Sequence, residues 1–291
     1  MIAGISVATY NTGLIRAQVA GYTIFEFAPH VEIRSKHIPE TVLNVNPDII
    51  CFQEIFSRRH LKQITESLRI KYPYSYAPKS IRPKLFGSGL SIFSKYPILQ
   101  SNCYWFKSQL LEESLFAPKA YLAVTVDAGN QGLIEIVNSH TTAGGSKHHP
   151  ESCAADSCRQ MQLEEMVEFS LQRDASVAHS LLVGDLNCGP EASRSNYEFL
   201  LSRGFTDLVV SAHPNSSAPV TWDPKNPLNS EGPHKTSPPQ RIDHILASSR
   251  SKLSVDNYKA IGREATVEAS ADIRCTPSDH YGVLVSLRGE T

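Results

Sequence analysis

Ser180-Leu181-Leu182-Val183 is a short apolar run, and the chain meets polar residues at once in Gly184-Asp185-Leu186-Asn187. A run this short, bounded by a glycine, reads as a strand buried on both faces rather than a helix. The same arrangement recurs along the chain. Ile5 to Tyr10 ends in Asn11, and Ile49 to Phe52 ends in Gln53-Glu54. Leu133 to Val137 ends in Asn138-Ser139-His140, and further runs span Leu90 to Phe93 and Ala120 to Val126. Towards the C-terminus the order reverses, with the polar groups standing first. Asp243 stands near the start of the run Ile242 to Leu246, and Ser278-Asp279-His280 comes before Gly282 to Leu287. Between the runs lie segments of helical period. One covers residues 159–172, with Leu163, Met166, Val167, Ser170 and Leu171 on one side and Arg159, Gln162 and three glutamates on others. Another spans Val31 to Asn44, stopped by Asn46-Pro47-Asp48, and Pro39 inside it predicts a kink or a split. Alternating strands and helices without a repeat predict one α/β domain with mixed sheets.

The bulk properties bound the possibilities. The chain has 291 residues, 41% of them hydrophobic and 20% charged, enough to bury a large core without disulfide or metal staples. No stretch reaches the roughly 18 to 20 apolar residues of a membrane span, and Met1-Ile2-Ala3-Gly4-Ile5 does not read as a secretory leader. A soluble protein is expected, either cytoplasmic or a mature secreted form. The net charge of −1 argues against a generic nucleic-acid coat. The charge is uneven, with 13 Lys/Arg against 6 Asp/Glu in residues 1–110. That basic excess would suit phosphate or an anionic surface, though a solvated mixed face explains it as well. Six cysteines are too sparse for a disulfide scaffold. Cys51 and Cys188 read as buried thiols, while Cys103, Cys153 and Cys158 read as loop residues among which one bridge could form. Residues 212–240, rich in Pro, Ser and Asn, form an irregular excursion too long for a plain connector.

The chemistry lies in the polar groups at the strand ends. Taken singly, each has a dull explanation: Asn11 a turn, Glu54 an exposed charge at a helix start, Gly-Asp-x-Asn a bend closed by local hydrogen bonds. Six such ends in order change the odds. Glu54, Asn11 and Asp279 offer carboxylate and amide oxygens suited to a hard cation such as Mg²⁺. His140 and His280 supply a general base and an electrostatic partner, and Asp243 is placed to orient a histidine. The set fits metal-assisted attack of water on a phosphate ester. Three decoys are weaker. Gly144-Gly145-Ser146-Lys147 does not complete a phosphate loop, His148, His149, Cys153 and Cys158 match no zinc-finger spacing, and no Gly-x-Ser-x-Gly elbow is present.

With Asn11, Gln53-Glu54, His140, Gly184-Asp185-Leu186-Asn187, Asp243 and Ser278-Asp279-His280 in this order, the chain resembles the endonuclease/exonuclease/phosphatase superfamily over nearly its whole length. The resemblance implies a single-domain four-layer α/β sandwich, two packed mixed β-sheets flanked by helices, with the site at one rim. It also implies Glu54 as principal metal ligand with Asn11 nearby, and His280 as the base paired with an acidic residue. His140 and Asn187 would hold the phosphate, and Asp185 would help to place water or the leaving group. Within the superfamily, Gly87 to Ile98, Arg159-Gln160-Met161-Gln162 and Thr221-Trp222-Asp223 look most similar to neutral sphingomyelinases. Lys119 matches a lysine that faces the substrate phosphate in those enzymes, although Ala120 follows where glycine is usual, and Tyr281-Gly282 after His280 departs too. Both departures bear on the substrate rather than the reaction. No Trp-Cys-Asp-Arg run of the inositol 5-phosphatases is present.

The implied activity is Mg²⁺-dependent hydrolysis of sphingomyelin to ceramide and phosphocholine by a monomer acting peripherally on a phospholipid surface. Residues 212–240 and Tyr104-Trp105-Phe106 are the candidates to meet that surface. The alternatives are an endonuclease or phosphatase of the same superfamily, the former disfavoured by the near-neutral charge, and a catalytically silent binding protein on this fold.

Overall fold

In the computed structural model, residues 4–19, 22–79, 86–144, 152–172, 174–213, 215, 217–230 and 235–289 are described. Strand β1 (Ile5–Asn11) sets the plan, because its side chains alternate between two cores. Val7 faces one cluster, with Cys51, Ile92, Leu122, Ile136, Val183 and Val285. Ala8 and Tyr10 face another, with Val31, Ile38, Val42, Ile64 and Leu68. A strand buried on both faces must lie between two layers, and this one does.

The first sheet runs β13 (Leu253–Ile261), β16 (Gly282–Gly289), β1, β4 (Ile49–Gln53), β6 (Ser91–Ser94), β5 (Tyr74–Tyr76). The second runs β11 (Phe205–Asp207), β12 (Asp243–Ser248), β10 (Val177–Asp185), β9 (Leu133–His140), β8 (Ala120–Asp127), β7 (Ile98–Trp105). Helices α1 (Val31–Val45) and α2 (Arg58–Leu68) cover the outer face of the first sheet. Helices α4 (Ser152–Leu171) and α5 (Arg194–Ser202) cover the second, through Leu163, Met166, Val167 and Leu200 against Val137 and Leu182. The expected four-layer sandwich is the fold. Two short helices, α3 (Leu111–Phe116) and α6 (Leu208–Ser211), and two hairpins, β2 (Arg16–Val19) with β3 (Tyr22–Glu26) and β14 (Val267–Ser270) with β15 (Ile273–Cys275), complete it. No helix among the described residues is long and apolar enough to cross a membrane.

Strand direction puts the polar ends together. β1 pairs parallel with β4, and β9 parallel with β10, so Asn11 faces Gln53 and His140 faces Asp185 at matching ends. β12 runs antiparallel to β10 and starts where β10 stops, so Asp185 is paired with Asp243. β16 likewise starts where β1 ends. At the close of β10, Gly184 has φ +133, and a Cβ there would lie 2.0 Å from the Ser139 carbonyl oxygen, so only glycine lets β10 lie this close to β9.

Several expectations need correction. α1 continues unbroken through Pro39, held by Val31, Ile38 and Val42 in the core. α4 begins before residue 159, and Arg159 and Gln162, off the apolar side, are fully buried all the same. Their burial follows from their bonds to the backbone after His140: Arg159 donates to the carbonyls of Thr142 and Gly144, and Gln162 Oε1 accepts from Thr142 N. Cys103 is in β7, and Cys153 and Cys158 are in α4, not in loops; all six thiols are free. Cys51 and Cys188 are buried as expected. The glycine-rich and double-histidine decoys at 145–149 lie outside the described residues.

Candidate active site

At the rim where these strands end, His280 Nδ1 lies 2.9 Å from Asp243 Oδ2, and both side chains are buried. The bond fixes the imidazole and turns Nε2 towards Asp185, whose Oδ2 is 3.9 Å away. Asn11 links the two sheets: its Nδ2 donates to Asp185 Oδ2 at 2.9 Å and reaches Glu54 Oε1 at 3.3 Å. Its Oδ1 accepts from the Gly13 N–H at 3.0 Å, so the amide presents nitrogen, not oxygen, to the carboxylates. His140 stands between them, with Nδ1 3.9 Å from Glu54 Oε1 and Nε2 3.7 Å from Asp185 Oδ2. Asn187 donates from Nδ2 to the Thr141 carbonyl, and its backbone N–H donates to Asp185 Oδ1. Lys119, buried just before β8, acts electrostatically on both Glu54 and Asp185. Asp279 acts likewise on Glu54 and accepts from Ser278 Oγ at 3.2 Å. All nine residues singled out in the sequence thus converge at one rim.

Crowding sets the protonation states. Burial pushes the Glu54 carboxyl up to about 7, and the Asp279 and Asp185 carboxylates add to the shift against His280 and Lys119. Burial also raises Asp185 to about 6, with Asp243 adding to it. Burial opposes the imidazolium of His280, but Asp243, Asp185 and Asp279 outweigh it and raise this group well above an ordinary histidine. His140 goes the other way, held neutral by burial and by the positive charges of Lys119 and His280.

These donors suit a hard cation. Carboxylate oxygens dominate, two of the carboxyls resist ionisation where they stand, and the buried Asp243 Oδ1 has no hydrogen-bond partner. Asp185, Asp243 and His280 also offer ligand atoms all within 4.8 Å of one another. That trio differs from Glu54, Asn11 and Asp279, but in it His280 Nδ1 is already engaged by Asp243.

Further residues brace the site. Thr221 Oγ1 accepts from the N–H groups of Ile242 and Asp243, and its carbonyl accepts from Tyr281 N at 2.6 Å. One residue of the irregular excursion therefore positions both members of the Asp243–His280 pair. Asn226 and Asn229, from the same excursion, donate to the carbonyls of Ser278 and Asp279. Arg34 is wholly buried and donates to the carbonyls of Thr12, Gly13, Ala28, Pro29 and Pro277. Gln53 Nε2 donates to Asn138 Oδ1 at 2.8 Å across the sheet interface. Thr221, in the Thr-Trp-Asp stretch, and Gln53, beside Glu54, carried a sequence signal. The others bond mainly to backbone, which leaves no mark in residue spacing.

A model of the endonuclease/exonuclease/phosphatase family matches residues 8–280. The chain belongs to that family. As a member, it is similar to sphingomyelin phosphodiesterase 5 of Mus musculus, 29% identical over 164 residues that make up 51% of this chain. The chain spans about a third of the length of that relative, 32%. Among solved structures, beta toxin from Staphylococcus aureus superposes with a TM-score of 0.75 at 17% identity, covering 98% of this chain and 100% of the toxin. D. rerio TDP2 complexed with a single-strand DNA product superposes at 0.70 and 16% identity, covering 98% and 99%. Both are similar to this family member in fold.

Proposed function

We propose that this protein is a Mg²⁺-dependent phosphoric diester hydrolase that cleaves sphingomyelin, or a related choline phospholipid, to ceramide and phosphocholine. The observation that carries the reading is the buried Asp243–His280 pair facing Asp185, with Asn11 joining Asp185 to Glu54. Glu54 and Asp279 would hold the cation, beside Asn11, which keeps the Glu54 carboxylate in place. When bound, the ion would supply positive charge to a non-bridging phosphate oxygen and stabilise the charge that builds there.

His280 Nδ1 donates to Asp243, so in the neutral form of the imidazole Nε2 is the atom that takes the proton from attacking water. Asp185, facing Nε2, orients that water or the leaving oxygen. His140, held neutral, donates a hydrogen bond to the phosphate rather than competing for the water proton. Lys119 and Asn187 take the remaining phosphate oxygens. The sphingomyelin preference is supported by the kind of relatives the chain resembles and by the lack of a basic excess over the whole chain.

Release of phosphocholine from sphingomyelin vesicles, with Mg²⁺ and with EDTA, tests the proposal. Activity is expected only with the metal, and Glu54→Ala and His280→Ala should each abolish it. Full activity in either variant refutes the assignments. Nicking of plasmid DNA with no phosphocholine release would favour the nuclease reading.

A further inference from the structure

Two apolar projections flank the site from opposite sheets. The β2–β3 hairpin leaves β1 directly after Asn11 and belongs to neither six-stranded sheet. Tyr22 is 77% exposed on it, Ile24 67%, and Phe27 just beyond it 48%. A two-stranded hairpin is marginal in water, and large side chains on its open face gain nothing there. Its base is nevertheless rigid, because Arg34 donates to the carbonyls of Gly13, Ala28 and Pro29 at its two feet. The second projection is α3, between β7 and Lys119, where Leu111 is 73% exposed and Leu115 and Phe116 more than half. It too is fastened to the site: Thr142 Oγ1, two residues past His140, donates to Glu113 Oε2 at 2.7 Å.

We propose that the hairpin and α3 together form the surface by which the protein sits on a zwitterionic phospholipid bilayer, with the Asn11–His280 rim facing the headgroups. The inference rests on the lipid reading of the site and names how that substrate is reached. Charge selects the occupant. The hairpin strands carry Arg16 and Glu26, with Arg16 already paired to Glu32, and α3 carries Glu112 and Glu113. Among the described residues of the two projections there is no basic stripe for a nucleic acid and no cluster for anionic lipid, whereas aliphatic and aromatic tips suit the headgroup boundary. Both projections join the chain at strand ends that carry site residues, the hairpin after Asn11 and α3 just before Lys119, so seating them would bring that rim to the headgroups. Tyr104-Trp105-Phe106 is less suited, because Phe106 is buried and Tyr104 stacks on Tyr121 at 5.0 Å.

Co-sedimentation with phosphatidylcholine–sphingomyelin vesicles in EDTA measures docking without turnover. The wild type should pellet, and partitioning should fall at least ten-fold, about 1.4 kcal/mol, in the Tyr22→Ser/Ile24→Ser and the Leu111→Ser/Leu115→Ser proteins, since each removes two apolar side chains from the interface. Hydrolysis of monomeric short-chain sphingomyelin should stay within two-fold of wild type in both. Separate Tyr22→Trp and Leu115→Trp proteins should show quenching by brominated phosphatidylcholine beyond that of the wild type. Wild-type protein that stays in the supernatant, or pellets only with anionic vesicles, overturns the proposal, as do variants that bind normally or tryptophans that are not quenched. Protein that docks but hydrolyses neither substrate form refutes the sphingomyelin reading and leaves the docking surface standing.

Discussion

Glu54 and Asn187 both hold left-handed backbone, at φ 63 and φ 47, where a side chain costs roughly 1–2 kcal/mol. Glycine would fit each position better, so what keeps these residues is their side chains: Glu54 faces Asn11 and Asn187 the Thr141 carbonyl. Gly13 shows the converse. At φ +56, a Cβ on it would fall 1.9 Å from Asp279 Oδ1. Gly13→Ala should therefore displace Asp279, weaken Mg²⁺ binding and lower kcat by at least ten-fold while circular dichroism stays native. Titration calorimetry with Mg²⁺ would detect the weakened site. Asp243→Asn should cut kcat by about 10³–10⁴ with KM nearly unchanged, because the amide cannot hold the imidazole in the same protonation state. Steady-state kinetics on both parameters checks this.

Among the elements, strands buried on both faces were legible and edge strands were not. Ile5 to Tyr10 and Ser180 to Val183 fall inside β1 and β10, where both neighbours demand apolar residues. β7 and β13 were missed because an edge strand facing solvent is free to carry Gln100, Ser101, Asn102, Asp256 and Asn257. The site residues could be read because they follow apolar runs; Arg34, Asn226 and Asn229 could not, because their partners are carbonyls distant in the chain. Residues 212–240, read only as a loop, brace the reaction centre through Thr221. Thr221→Val removes the acceptor of two buried N–H groups and should destabilise the fold by about 2 kcal/mol. Urea denaturation would measure that loss, with kcat falling in step as Asp243 and His280 drift apart.

For the whole molecule, pH and cation are linked. The Glu54 and Asp185 carboxyls titrate near 7 and 6 when folded, above their unfolded range near 4. Groups raised in this way contribute stability that is fully present below about pH 4 and is lost as pH rises through 6 and 7. Asp207 runs opposite. Burial alone would raise it, but His244 and Arg241 hold it well below the usual carboxylate range, so its stabilisation is present above pH 4 and is lost on further acidification. In EDTA, Tm should peak in mildly acidic solution, and Mg²⁺ should raise Tm more at pH 8 than at pH 6. Calorimetric scans across that range test both signs. An equal Mg²⁺ effect at the two pH values would show that these carboxyls do not hold the ion.

The order of strands in the first sheet has a consequence for biosynthesis. β16, made after every other described strand, lies between β13 and β1 and pairs with both, and Asp279 and His280 come just ahead of it. A nascent chain can pair β1 with β4 early, yet it holds no competent centre until Gly282–Gly289 has emerged and closed the gap. A chain that stops short of Gly282 should therefore leave β13 and β1 without the strand that joins them, and Asp279 and His280 without their anchor.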